Sequence, residues 1–165
     1  MTRTAIRTAT PDDVPAILGL IRELARFEEA EDQVKATEDD LLRDGWGVSP
    51  KFEAMVAEMD GAVEGFTLFF HNYSTWEGRA GIHIEDLYVS EKTRGTGLGR
   101  KLVSAVAALA VERGCRRLDL SVLDWNPARG FYDALGFAHM DEWLHYRATG
   151  DDLNRLAAEG KGSVT

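Results

Sequence analysis

The sequence predicts a mixed α/β (α+β) fold in one domain, with a central mixed sheet of about six to seven strands flanked by helices. Three observations carry this. The hydrophobic period changes along the chain, from helical between Val14 and Ala25 to two from Phe52 to Tyr73, and back to helical after Leu98. An Asp60-Gly61 pair lies between two strand-like runs, the signature of a tight antiparallel hairpin. A helical stretch after Val89 separates two further strand-like runs, and a helical crossover makes its flanking strands parallel. The 165 residues suit one domain over 1–165, since about 100–200 residues per domain is usual.

Taken in order, Thr4–Thr8 reads as a short strand. Thr10-Pro11-Asp12-Asp13 starts a helix, with Thr as N-cap, Pro in the first position and acid in the first turn. Val14, Ile17, Leu18, Ile21, Leu24 and Ala25 then mark one buried stripe. The helix runs out in Glu28-Glu29-Ala30-Glu31-Asp32, where the dipole favours cations. That acidic run is either a solvated face or a waiting site for a cationic ligand. Thr37-Glu38-Asp39-Asp40 caps a second helix through Leu41 and Leu42, which Gly45 is expected to end.

Glu53–Met59 and Val63–Tyr73 flank the hairpin turn, Ser74–Arg79 connects, and the run ending at Val89 completes a three-strand antiparallel meander. Leu102, Val103, Val106, Leu109, Ala110 and Val111 trace the next helix, closed by Arg113-Gly114. Arg117–Leu123 returns as the parallel strand. Asn126-Pro127-Ala128 starts a fourth helix that ends in Asp133–Gly136, a final strand covers 138–148, and a tail helix runs from Asp151 to Ala158. Residues 160–165 are expected to be disordered.

Composition narrows the function classes. With 44% hydrophobic and 28% charged residues, and no apolar run near the roughly 20 residues that span a bilayer, no membrane partner is expected. The N-terminal Met1–Arg7 lacks an apolar signal core, so cytoplasm is the default location. Cys115 is the single cysteine and reads as a structural thiol. His71, His83, His139 and His145 lie on predicted strands without the helical pairing or cysteine partners of a zinc site, so no metal is expected. A net charge of −9 argues against a nucleic-acid partner and favours a small cation, although acidity also serves solubility.

The most informative stretch is Arg94-Gly95-Thr96-Gly97-Leu98-Gly99-Arg100, directly after a strand and opening a helix. Alternate glycines let successive backbone N–H groups converge on an anion at the positive end of the helix dipole. The spacing is neither that of a P-loop, which needs a Gly-Lys pair, nor that of a dinucleotide fingerprint, where the third glycine comes one residue later. A glycine-rich turn that merely caps a surface helix is the plainer alternative.

Arg-Gly-x-Gly-Leu-Gly after a strand resembles the acetyl-CoA pyrophosphate loop of the GCN5-related N-acetyltransferase (GNAT) superfamily, and the order of elements resembles that fold over nearly the whole chain. Trp125-Asn126-Pro127-Ala128, Phe131-Tyr132 and Leu135-Gly136-Phe137 resemble its second cofactor segment. More narrowly, Ile6-Arg7 with Thr10, Leu24-Ala25-Arg26-Phe27-Glu28, Thr37-Glu38, Asp44-Gly45-Trp46-Gly47, Trp76, Ile84-Glu85-Asp86 and Trp125-Asn126 resemble the diamine (spermidine/spermine) N-acetyltransferases.

The resemblance implies acetyl-CoA as cosubstrate, a small cationic amine as acceptor and a homodimer. It implies cofactor contacts from Leu87, Tyr88, Val89, Arg94, Gly95, Thr96, Gly97, Leu98, Gly99, Arg100, Asn126, Ala128 and Arg129. Substrate contacts would come from Phe27, Glu28, Glu85, Asp119, Leu120, Ser121 and Glu142, and catalysis from Glu85 and Tyr132. Phe27 departs from the tyrosine usual in the polyamine enzymes, and the segment between Asn126 and Tyr132 is one residue shorter than in the eukaryotic diamine enzymes. Both departures bear on substrate choice. Other acceptors compatible with the same cofactor are a protein N-terminus, a lysine or an amino acid, and a non-catalytic acyl-CoA sensor is the reading from another class.

Direct acetyl transfer needs a neutral amine, and an alkylammonium of pKa ~10.4 loses its proton at pH 7 at a cost of roughly 4.6 kcal/mol. A carboxylate assists by passing that proton on, the role expected of Glu85. Strict strand alternation would put Glu85 on one face with His83, Leu87 and Val89, and Asp86 on the other with Ile82, Ile84 and Tyr88. Asp86 is then either a buried acid bonded to backbone or a catalytic group. Tyr132, with an ordinary pKa near ~10 against ~8.5 for a thiol, is best described as donating a hydrogen bond to the departing sulfur.

Overall fold

The computed structural model describes residues 1–164. The chain divides into two compact units, Met1–Asn126 and a second beginning at Pro127. The first contains strands β1 (Thr4–Thr8), β2 (Glu53–Met59), β3 (Ala62–Ser74), β4 (Arg79–Val89) and β5 (Leu118–Leu120), with helices α1 (Val14–Phe27), α2 (Glu38–Trp46) and α3 (Leu98–Glu112). The second contains α4 (Ala128–Leu135) and α5 (Gly150–Gly160).

The five strands form one sheet in the order β1-β2-β3-β4-β5. Neighbours are antiparallel except β4 and β5, which are parallel because α3 forms the crossover between them. The Asp60-Gly61 turn joins β2 to β3 with both residues at positive φ, 51° and 85°, the geometry of the tight hairpin turn that Asp-Gly favours. At the other edge of the meander, Arg7 on β1 ties Asp13 at the start of α1 to Glu58 on β2, with bonds of 2.7 to 2.9 Å. The guanidinium holds the Asp13 carboxyl below the usual carboxylate range.

Both faces of the sheet are covered. On one, Val14, Ile17 and Leu18 of α1 and Leu41 of α2 meet Val56, Phe66, Leu68 and Tyr88. On the other, Leu98, Leu102, Val106 and Ala110 of α3 meet Ala57, Phe69, Ile82 and Ile84, with Cys115 buried among them. Full burial of side chains such as Phe66 and Ile82, which have no exposed surface, is worth about 1.5–3 kcal/mol each.

Three expectations are corrected. Among the described residues the sheet has five strands, not six or seven, and 138–148 forms none. A strand exists only through its ladder partner, and the second unit offers that segment two helices and no strand. Its Trp143 N–H instead closes a turn on the Met140 carbonyl at 3.2 Å, and Met140, Trp143, Leu144 and Tyr146 are exposed. The parallel strand is limited to Leu118–Leu120. Gly45 does not end α2 but lies inside it, where a Cβ would come within 2.8 Å of the Phe52 ring. The helix stops at Gly47. Of the 160–165 tail, residues 161–163 lie in turns, with Lys161 and Ser163 N–H groups bonded to the Ala158 and Gly160 carbonyls, and Thr165 lies outside the described residues.

Candidate active site

The centre of the candidate site is a bulge in β4. Leu68 pairs with Asp86 and Phe69 with Ile84, so Glu85 has no opposite number. One inserted residue resets the alternation. Ile82 and Ile84 face α3, and beyond the bulge it is Leu87 and Val89 that join that side. Asp86 pairs across from Leu68, and both Leu68 and Tyr88 belong to the α1 face. The expectation that Glu85 shares a face with Leu87 and Val89, and Asp86 one with Ile82 and Ile84, is therefore wrong. Neighbouring acids that a regular strand would send to opposite faces can act on the same space.

The electrostatics agree with that geometry. Burial pushes the Asp86 carboxyl up to about 6, and the negative charges of Glu85 and then Glu28 push in the same direction. Glu28, just past the end of α1, is itself raised by burial. Glu85 is the solvent-facing member, with its side chain 57% exposed and His83 Nε2 at 3.8 Å. The acidic run after α1 is thus divided: Glu31 is bound by Arg26 at 2.9 and 3.2 Å, while Glu28 turns its field on Asp86.

Aromatic rings border these acids. Arg94 lies over the Phe27 ring at 4.9 Å and the Tyr88 ring at 5.5 Å, and Phe27 meets Trp125 at 6.2 Å. Cation–π attraction of this kind is worth about 0.5–2 kcal/mol. The first side chain of the glycine loop therefore rests on the rings beside Glu28, which the sequence pattern did not reveal.

The loop itself has the backbone that an anion site requires. Gly95 and Gly97 take φ of 79° and 84°, values that side chains rarely allow, and a Cβ at either would meet nothing within 4 Å. Gly97 is the N-cap of the 15-residue α3, so the free N–H groups of its first turn open next to that space. Arg100 and Lys101 follow, the latter bonded through Nζ to Thr4 Oγ1 at 2.7 Å. Glycine geometry, helix dipole and nearby cations fit a diphosphate.

The remaining expected residues are distributed between the units. Leu120 packs toward α3 with Leu118, leaving Asp119 on the other face, where it pairs with His83 across the strands and accepts from Asn72 Nδ2 at 3.3 Å. Ser121 follows β5 and is exposed, and Asn126 is buried. In the second unit Ala128, Arg129 and Tyr132 lie on α4, and the Tyr132 ring packs edge-on to Phe131 and Phe137 at 5.2 and 5.7 Å. Glu142 lies in the strandless segment and is exposed. Sequence reasoning placed His83 on the Glu85 face, and the structure has the two side chains 3.8 Å apart; it missed Trp125 as a ring beside Phe27 and Glu64, which is buried beside the loop. No local signal marked them, because Glu64 is turned in by a bulge and Trp125 meets Phe27 only through the fold.

The chain is similar to known proteins in sequence and in fold. The sequence profile of the acetyltransferase (GNAT) family matches residues 18–137. The chain is 42% identical over 166 residues to the thialysine N-epsilon-acetyltransferase of Bos taurus, covering 93% of this chain and 97% of the bovine protein. It is 32% identical to spermidine/spermine N(1)-acetyltransferase-like protein 1 of Homo sapiens, over 93% of this chain and 24% of that longer protein. Among solved structures, an integron cassette protein from the mobile metagenome of V. cholerae has a TM-score of 0.77 at 28% identity, covering 93% of this chain and 97% of that one.

Proposed function

The chain belongs to the acetyltransferase (GNAT) family, and we propose that it acetylates the primary amine of a lysine-like amine or a small di- or polyamine. The observation that carries this is the convergence of Glu28, Glu85 and Asp86 where α1 ends and β4 bulges, one strand end away from the phosphate-holding loop. Three carboxylates around one space attract an alkylammonium, and the rings of Phe27 and Trp125 give its methylene chain an apolar wall. The acceptors named in the bovine and human relatives, thialysine and spermidine or spermine, are cationic amines of this kind.

Acetyl-CoA, when bound, supplies a thioester whose acetyl carbon the amine attacks. The loop from Arg94 to Arg100 would hold the pyrophosphate, and Leu87, Tyr88 and Val89, with Asn126, would hold the pantetheine arm. Glu28, Asp119 and Ser121 contact the amine, whereas the Leu120 side chain packs toward α3 and does not. Asp86 takes the ammonium proton and Glu85, the exposed acid, passes it to water. A carboxyl at about 6 shortens the climb from ~10.4 relative to an ordinary carboxylate near ~3.9. Tyr132 donates to the CoA sulfur as it departs. The reading includes a homodimer and a cytoplasmic location; sedimentation equilibrium checks the first.

Thiol release from acetyl-CoA, measured across thialysine, lysine, putrescine, spermidine and a basic peptide, tests the proposal. Turnover should favour a free amine over the peptide. Turnover with the peptide alone would move the acceptor to protein, and none with any amine would leave a sensor. Tyr132→Phe should lower kcat about 100-fold with little change in the KM for acetyl-CoA.

A further inference from the structure

A second bulge lies in β3. Ala57 pairs with Gly65 and Glu58 with Val63, so Glu64 is the extra residue. Its side chain is turned inward and the residue is 7% exposed. One carboxylate oxygen accepts from Ser90 Oγ at 2.6 Å and the other pairs with Lys92 Nζ at 2.7 Å. The Glu64 main-chain carbonyl accepts the Ser90 N–H at 2.7 Å. Burial alone would push this carboxyl up, but Lys92 and Ser90 outweigh it and hold it below the usual range.

From Ser90 the bonds continue. Ser90 Oγ lies 2.9 Å from Thr93 Oγ1, and the Thr93 hydroxyl and N–H both reach the Ser90 carbonyl, at 3.1 and 3.0 Å. Thr96 Oγ1 then donates to the Thr93 carbonyl at 2.6 Å. An unbroken path leads from a buried glutamate on β3 to the residue between Gly95 and Gly97. Those glycines have the widest conformational choice in the loop, so their order must come from the flanking bonds.

We propose that Glu64 is a positioning residue that, through Ser90, Thr93 and Lys92, fixes the entry of the 94–100 loop in the form that receives the acetyl-CoA pyrophosphate. This rests on the reading of that loop given above. Glu64 touches neither reactant; it acts by ordering the backbone N–H groups before the anion arrives.

The test compares the whole chain with Glu64→Gln, Ser90→Ala and Lys92→Met. CoA binding is measured by calorimetry, and kcat/KM is measured with acetyl-CoA and with S-acetylpantetheine, which lacks the pyrophosphate. Glu64→Gln should weaken CoA about tenfold and lower kcat/KM for acetyl-CoA alike, while the value for S-acetylpantetheine and the KM for the amine stay unchanged. Ser90→Ala should act in the same direction and add little to Glu64→Gln in the double variant. Should Glu64→Gln fail to fold, Ser90→Ala and Lys92→Met carry the test, since the Lys92 side chain is 73% exposed. CoA affinities within twofold of the parent, or an equal fall with S-acetylpantetheine, overturn the role of Glu64. A parent protein that does not bind CoA overturns the reading of the loop itself.

Discussion

Asp86 is held in a state that disfavours its own charge. Its folded value of about 6 lies above the ordinary carboxylate value, chiefly through burial and then through Glu85 and Glu28. Between about pH 4 and 6 the native state therefore binds more protons than the unfolded chain, and this residue's contribution to stability falls as pH rises through that window. Asp86→Asn should stabilise the protein by about 3 kcal/mol at pH 7, and denaturant unfolding should show the gain shrinking toward pH 4. The same substitution should lower kcat about 100-fold and remove the rise in kcat/KM centred near pH 6. A variant no more stable than the parent, with the pH rise intact, would exclude Asp86 as the half-buried acid that takes the proton.

The helices make separate predictions, because two of their glycines have opposite reasons for being there. Gly19 is exposed in the middle of α1, and a Cβ there would meet nothing within 4 Å. Gly19→Ala should stabilise by about 0.8 kcal/mol from helix propensity alone. Gly47 ends α2, its N–H bonded to the Arg43 carbonyl, and a Cβ would enter the space of that same oxygen. Gly47→Ala should destabilise by about 2 kcal/mol. Thermal melts would read these as shifts of roughly 2–4 °C per kcal/mol in opposite directions for a chain of this size. The capping box at Thr37, where the hydroxyl accepts from the Asp40 N–H at 3.1 Å, was legible in the sequence because its partners are three residues apart. The stop at Gly47 was not, because the packing of Phe52 against Gly45 lets the helix pass the first glycine.

A net charge of −9 gives the protein a field that attracts cations before contact. For a dicationic amine, kcat/KM should fall about fivefold between low salt and 0.3 M, with kcat unchanged, as the Debye length shrinks below about 10 Å. An amine whose kcat/KM ignores ionic strength would confine recognition to the carboxylates in direct contact. The same acidic surface argued in the sequence for a cationic partner, but composition could not say which acids serve it. Pairing did: Arg26 takes Glu31, Lys92 takes Glu64, and Glu28 is left facing Asp86.

Local order by itself determined the periodic helices, the Asp60-Gly61 hairpin and the glycine loop at 94–100, because each is written in residues at most a few positions apart, and the helix between two strand runs made the return after α3 parallel. Only the tertiary structure decided the two bulges. An extra residue in a strand leaves no mark in the sequence; it is defined by the partner strand's count, and it moves Glu85 and Asp86 together and turns Glu64 inward. The missing sixth strand has the same origin, since an extended run becomes a strand only where a sheet edge accepts its hydrogen bonds. The cofactor half of the site was therefore readable from spacing, while the disposition of the acids depended on how β3 and β4 pair.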